Sequence, residues 1–357
     1  MRIAHRAAFR GTLVLASLLP AASAVAQRYT FGGQDLSVYN LVGSIRVQGG
    51  AGADIVVNVT RRGPDASKLT VESGRLRGRD ALRVIYPAER VVFRDGGSRW
   101  ERTRLYVNKD GTFGDDGERR MRFGFGDGRI EIASSGRGLD AAADVAVSLP
   151  PGRSLTINLA AGKATLENVD GDLRVNVWAA DVTTTGTRGR LELDTGSGDV
   201  RVSDAEGELT LDSGSGGVTL AGVKGPSLTI DSGSGRVQAD AVLVDRLDID
   251  SGSGAIDLRS VQAPDITLDS GSGSVRLDLK ADVNRMSIDA GSGDVTIHVP
   301  ESLGAELEAS TASGGVEFDF PVQLLRKAND FVRARIGDGQ GRISIDAGSG
   351  AIRLRRS

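Results

Sequence analysis

Cysteine is absent from the 357 residues, histidine occurs twice, and aromatic side chains make up only 4 % of the chain. Without a thiol the protein forms no disulfide, so its folding is independent of the redox state of its compartment. With no cysteine and a single histidine, His298, beyond the N-terminal segment, zinc sites and Cys-His nucleophiles are excluded. A Ser-His-Asp triad would have to centre on that one residue, which alternation within Val295-Thr296-Ile297-His298-Val299 turns to solvent. No later run approaches the roughly 18 apolar residues that span a bilayer. Loss of the three arginines near the start, Arg2, Arg6 and Arg10, would take the formal charge from −3 to −6. That acidic balance argues against nucleic acid as a partner.

What is present begins with an export signal. A basic start precedes an apolar stretch from Thr12 to Leu19, and the small residues Ala24-Val25-Ala26 before Gln27 fit a cleavage site. The expectation is a signal peptide over residues 1–26 and a mature chain in the periplasm, outside the cell or on its surface.

Glycine reaches 49 residues, and much of it is periodic. Seven times the chain writes Asp, then Ser, Thr or Ala, then Gly-Ser-Gly, with the Asp at Asp194, Asp212, Asp231, Asp250, Asp269, Asp289 and Asp346. The steps are 18, 19, 19, 19, 20 and 57, the last being three periods of 19. A fixed period of about 19 residues predicts an all-β fold, a parallel β-solenoid that is right-handed by the usual sense of crossover connections. Alternation points Leu191, Leu193, Val200 and Val202 inward, with the same column in each later coil through Met286, Ile288, Val295 and Ile297. Burial of four or five aliphatics is worth on the order of 10 kcal/mol, against roughly 1–2 kcal/mol of ordering per residue. A lone coil would not fold, and stacking supplies the rest.

The repeat domain is assigned to residues 151–357. Its register extends upstream through Asn176 and Asn158 and downstream to Glu308. An excursion over residues 320–341, with a short helix around Gln323 to Asn329, replaces one coil. Arg355 and Arg356 then cap the stack against edge pairing.

The motif aspartates face outward. They are expected to fasten the turns by accepting N–H bonds from their own Gly-Ser-Gly runs, while the glycines supply positive φ. Neighbours about 4.8 Å apart repel by about 0.9 kcal/mol in water, less than the roughly 1.5–3 kcal/mol of a bond to a charged acceptor. The turn role therefore needs no metal. A weak Ca²⁺ site from Asp248 and Asp250 with Asp231 or Asp269 is the competing possibility, since the residue two before each motif Asp is never basic. Periodic acids of this kind look architectural. A paired-carboxylate glycosidase would instead need acids gathered in one groove.

Residues 27–150 read as a β region that starts and caps the solenoid. Candidate strands run Leu36 to Tyr39, Ser44 to Val47, Ile55 to Thr60, Leu69 to Glu72, Leu82 to Ile85 and Val145 to Leu149. An insertion over residues 91–128 holds six of the chain's fifteen aromatics among many arginines. Arg94, Trp100, Arg102, Arg104, Arg120 and Arg122 are the candidate contacts to a glycan, lipid headgroup or protein of the envelope. A hairpin that covers apolar solenoid flank is the structural alternative.

The Gly43-Ser44-Ile45-Arg46-Val47 strand, the Asp144 to Gly152 step, the Gly-Ser-Gly coils and the ending from Ile336 to Gly341 with Ile343 to Leu354 resemble a known bacterial family. It comprises extracytoplasmic β-strand-repeat proteins of unknown function that carry the label "putative adhesin". The resemblance implies a β-solenoid, export to the envelope and no established activity, cofactor or binding residue. The expected function is a non-enzymatic interaction or structural module of the envelope. A carbohydrate-active β-helix enzyme and a self-assembling envelope scaffold are the alternatives.

Overall fold

The computed structural model describes residues 26–95, 102–114, 128–328 and 330–357. The chain is an all-β parallel solenoid. Leu191 stacks on Leu209, Leu228, Leu247, Ile266, Met286 and Ile343 in successive strands. On the return side Val200 stacks on Val218, Val237, Ile256, Val275, Val295 and Ile352. All of these are 3 % exposed or less, so the two columns close one continuous aliphatic core. Because side-chain direction alternates, each core residue sends its chain neighbours outward, and the coil period alone sets what lies on the surface.

The coil has two unlike corners. Positive φ sits at the one opposite the Gly-Ser-Gly run, where Asn168, Gly186, Asp204, Gly222, Ala241 and Ser260 all have φ between 51° and 68°. The motif glycines do not adopt positive φ, contrary to the expectation from sequence. They are needed for close approach: a Cβ on Gly216 would overlap the carbonyl oxygen of Gly198, and one on Gly235 that of Gly216. Stacked turns leave no room for even a methyl group.

At the N-terminal end, Asp35–Gly49 forms the first coil, and Leu36, Val38, Ile45 and Val47 lie in parallel register with Leu155, Ile157, Ala164 and Leu166 of Arg153–Glu167. The intervening residues cover its other side. Arg79–Ile85 pairs with one half of that strand and Ala142–Leu149 with the other. The parallel order ends there, because Ile55–Arg62, Ala26–Phe31 and Thr70–Leu76 add on antiparallel. Buried Tyr86 locks the junction by donating to Asn40 Oδ1 at 2.8 Å or Val42 O at 2.9 Å, and burial pushes its phenol pKa up. A separate small sheet joins Arg90–Val92, Arg102–Val107, Gly128–Ala133 and Leu139–Asp140.

At the other end the stacking order departs from chain order. Gly341–Ala347 and Ile352–Arg356 slot directly against the coil of Arg285–Ala290 and Val295–Val299, so Asp346 is the register neighbour of Asp289. The earlier coil, Ala305–Thr311 and Val316–Phe318, lies outside it. Ile343 and Ile345 cover Met286 and Ile288, and Leu307 and Ala309 lie outside them in turn. In this register Ser310, not Glu308, occupies the ladder position beside Asp346. The expected helix around Gln323 to Asn329 is instead the strand Gln323–Lys327, which forms an antiparallel hairpin with Phe331–Ile336 on Ala305–Thr311. Arg355 and Arg356 do not close the stack, because their strand lies inside it, between Val295–Val299 and Val316–Phe318; the Arg356 guanidinium lies 4.4 Å from the ring centre of Phe320. No helix among the described residues is long and apolar enough to cross a membrane.

Candidate functional site

The column at the Gly-Ser-Gly corner is a repetitive surface that turns outward from Asp194 onward. Asn158, Asn176, Asp194, Asp212, Asp231, Asp250, Asp269, Asp289 and Asp346 are successive register partners on adjacent strands. Each of the seven aspartates is exposed. The turn is fastened by the following residue, whose hydroxyl points inward. Thr195, Ser213, Ser232, Ser251 and Ser270 each donate to the carbonyl of the last glycine of the run, at 2.9–3.1 Å. Asp194, Asp231, Asp250, Asp269 and Asp289 accept no hydrogen bond among the described residues, so the fastener is one position later than the sequence suggested. The physical reason is alternation: an outward carboxylate cannot reach amides that are already taken by the neighbouring coil, as in Gly214 N to Thr195 O at 2.9 Å. Where Ala347 lacks a hydroxyl, Thr311 of the adjacent coil bonds Gly350 O at 2.9 Å.

The ladder is electrostatically unfavourable. Desolvation, then the charges of Asp212 and Glu192, hold the Asp194 carboxyl above its ordinary value. Desolvation, then Asp250 and Asp289, do the same for Asp269. No group of three or more His, Cys, Asp or Glu able to share a metal ion forms among the described residues. Asp231, Asp250 and Asp269 stand in one row, while Asp248 belongs to the row of Thr229 and Thr267. The strands keep them as a line, not a cage.

This surface, repeated coil after coil without a gathered reactive group, coincides with a family match over residues 147–355 to Toastrack DUF4097. The chain belongs to the Toastrack family. The family is one of unknown function. The Toastrack match takes in the coils from Arg153 onward and both C-terminal hairpin strands, and leaves the first coil, Asp35–Gly49, and the small N-terminal sheet outside. None of the curated proteins matches the chain. A crystal structure of a "putative cell adhesion protein" from Clostridium sporogenes is similar at 11 % identity, over 94 % of this chain and 100 % of that one, with a TM-score of 0.21.

Upstream of the Toastrack span, the insertion arginines are engaged with acids of the small sheet. Glu131 takes Arg104 at 2.9 Å, Arg90 at 3.3 Å and Arg102 at 3.6 Å, and Arg94 lies 3.3 Å from Asp140. The bond from Arg104, partly offset by desolvation and helped by the other arginines, holds the Glu131 carboxyl below its usual range. Trp100, Arg120 and Arg122 lie outside the described residues. Part of the insertion does cover solenoid flank: Phe113 is buried, with its ring 6.1 Å from that of Tyr39, and Gly114 lies beside Asn158 and Trp178.

Within the Toastrack coils, His298 is half-buried on the return face, in register with Asp278 and Arg355. It borders a groove that sequence reasoning missed. One part, of about 370 Å³, is lined by Arg236, Asp257, Ser274, Arg276, Asp294 and Arg353 among others. An adjoining, more open part of about 760 Å³ shares Arg276 and Thr296 with it and runs past Lys280 and His298 to Arg355 and Arg356. The signal available in the sequence was the basic residue recurring just after the Gly-Ser-Gly run, but Arg353 joins Arg276 only because the last coil stacks out of order.

Proposed function

We propose that this Toastrack chain is a non-enzymatic, exported module of the bacterial envelope that works by presenting a repetitive charged surface to a partner. The observation that carries the reading is the dispersal of its acids. Seven carboxylates are held in a line by strand register, and a line at fixed spacing suits contact with an extended partner better than attack on one bond. Residues 1–26, with a basic start, an apolar stretch and Ala24-Val25-Ala26, support export. The antiparallel strands count against a scaffold built by stacking coil on coil, because they cover the edges of Ala142–Leu149 and Ala305–Thr311 that such growth would use.

The test is expression of the full chain in a Gram-negative host, followed by fractionation and mass measurement. The expected product is found outside the cytoplasm with its N-terminus at Gln27. Cytoplasmic retention of a chain still carrying residues 1–26 would overturn export. Turnover of any envelope polysaccharide at enzymatic rates would overturn the non-enzymatic reading.

A further inference from the structure

We propose that the groove on the return face binds a linear acidic polysaccharide, laid along the solenoid axis. The inference rests on the reading of the chain as an interaction module and names the partner chemistry. The chain as a whole is acidic, yet the two parts of the groove are lined by seven Lys or Arg side chains against four Asp. Most of these cations are already used. Arg259 pairs with Asp257, Lys280 with Asp278, and Arg353 with Asp294 and Glu317. The side chains of Arg236 and Arg276 have no hydrogen bond, ion pair or ring contact among the described residues.

Their spacing along the axis is regular, although they occupy two neighbouring rows. Arg236, just before Val237, lies two positions to one side of the row that holds Gln238, Asp257, Arg276, Thr296 and Arg353; Arg276 is two coils on from it and Arg353 two further coils on. At a strand spacing of about 4.8 Å the guanidinium-bearing positions therefore recur about every 9.6 Å along the axis. Between them lie the small or polar residues Ala255, Ser274 and Thr296, which leave room for a chain of rings. Guanidinium groups take carboxylates in a paired, planar geometry. A glycan with a carboxylate on every second sugar presents acids at a comparable interval, with hydroxyls between them to donate to Asp257 and Asp294.

Nucleic acid fits less well. Its charge falls on every residue of the polymer, so the interleaved aspartates would repel it, and no Phe, Tyr or Trp lines the groove to stack successive bases. A compact ligand fits less well again, since the first part of the groove draws on five adjacent coils.

The experiment is calorimetric titration of the purified full chain at low salt with a hyaluronan octasaccharide, a neutral dextran oligosaccharide and a thymidine single strand. Hyaluronan alone is expected to bind. Arg236→Ala and Arg276→Ala should each weaken it about tenfold or more, the consequence of losing one charge-assisted contact. Arg276→Lys should recover part of the loss, and Arg246→Ala, off the groove, should bind like the parent. Thermal melts of each variant check the fold. Three results would each overturn the proposal: no hyaluronan binding, binding unchanged in both arginine variants, or preference for the DNA strand. A chain that fractionates with the envelope but binds no hyaluronan would sink this inference while leaving the proposed function standing.

Discussion

The motif-aspartate column in the middle of the solenoid and the acids at its two ends stand on the same kind of strand but in opposite electrostatic settings. From Asp194 to Asp289, like charges stack in register, and two of them are pushed above their usual protonation range. At the ends, acids are matched to arginines. Glu306 takes Arg335 at 3.0 Å and Arg333 at 3.3 Å, Asp294 takes Arg353 at 2.8 Å, and Glu131 takes three arginines. Bonds from Arg353 and the Ala351 amide, partly offset by desolvation, hold Asp294 below its ordinary value. The middle tolerates repulsion because every coil is secured on both sides by parallel strands and by a core that is almost wholly buried. An end coil has only one such neighbour, and its other side is closed by hairpins whose register the ion pairs help to select.

The largest test of this contrast is steric. Gly216→Ala places a methyl against the Gly198 carbonyl oxygen, and since that atom belongs to backbone fixed by neighbouring coils, the loss should be about 3 kcal/mol in a denaturant titration. Gly315→Ala at the C-terminal end meets nothing within 4 Å and should leave stability nearly unchanged. Equal effects at the two sites would break the comparison. Smaller is the hydroxyl fastener: Ser213→Ala removes the buried bond to Gly216 O at 3.1 Å and should cost about 1 kcal/mol.

The smallest effect carries the sign that distinguishes the regions. Asp269→Asn removes repulsion from Asp250 and Asp289 and should stabilise the chain at neutral pH, by at most about 0.9 kcal/mol per neighbour and less as salt rises. A carboxyl whose folded pKa is raised destabilises the fold above that value and ceases to do so below the unfolded value, so the advantage of Asn should vanish as pH falls through the carboxylate range. Asp294→Asn should behave oppositely. Its depressed pKa contributes stability above the unfolded value, so the variant should be weaker at neutral pH and converge with the parent in acid. Melting curves across pH for both variants would show the crossing, and parallel curves would refute it.

Much of the fold was legible without coordinates. Leu191 and Val200 announced two inward columns, and the motif aspartates gave the strand register across the middle, because a period repeated many times averages away local ambiguity. The site was less legible. The role given to the motif Asp belongs to the Ser or Thr beside it, and the role given to glycine flexibility belongs to glycine size. Both depend on what the next coil places at the same level, which the residues of one coil do not reveal.

By itself the sequence determined the coil length, the faces and the charge of each column, since side-chain alternation and a fixed period follow from strand geometry alone. Only tertiary structure decided the order of stacking at the C-terminal end and the antiparallel covers at both. Those pairings join segments far apart in the chain, as Ile343 and Ile345 join Met286 and Ile288, and no pattern local to either segment specifies them. The arginine groove is a product of that choice, because Arg353 reaches the row of Arg276 only when the last coil is laid beside Thr296.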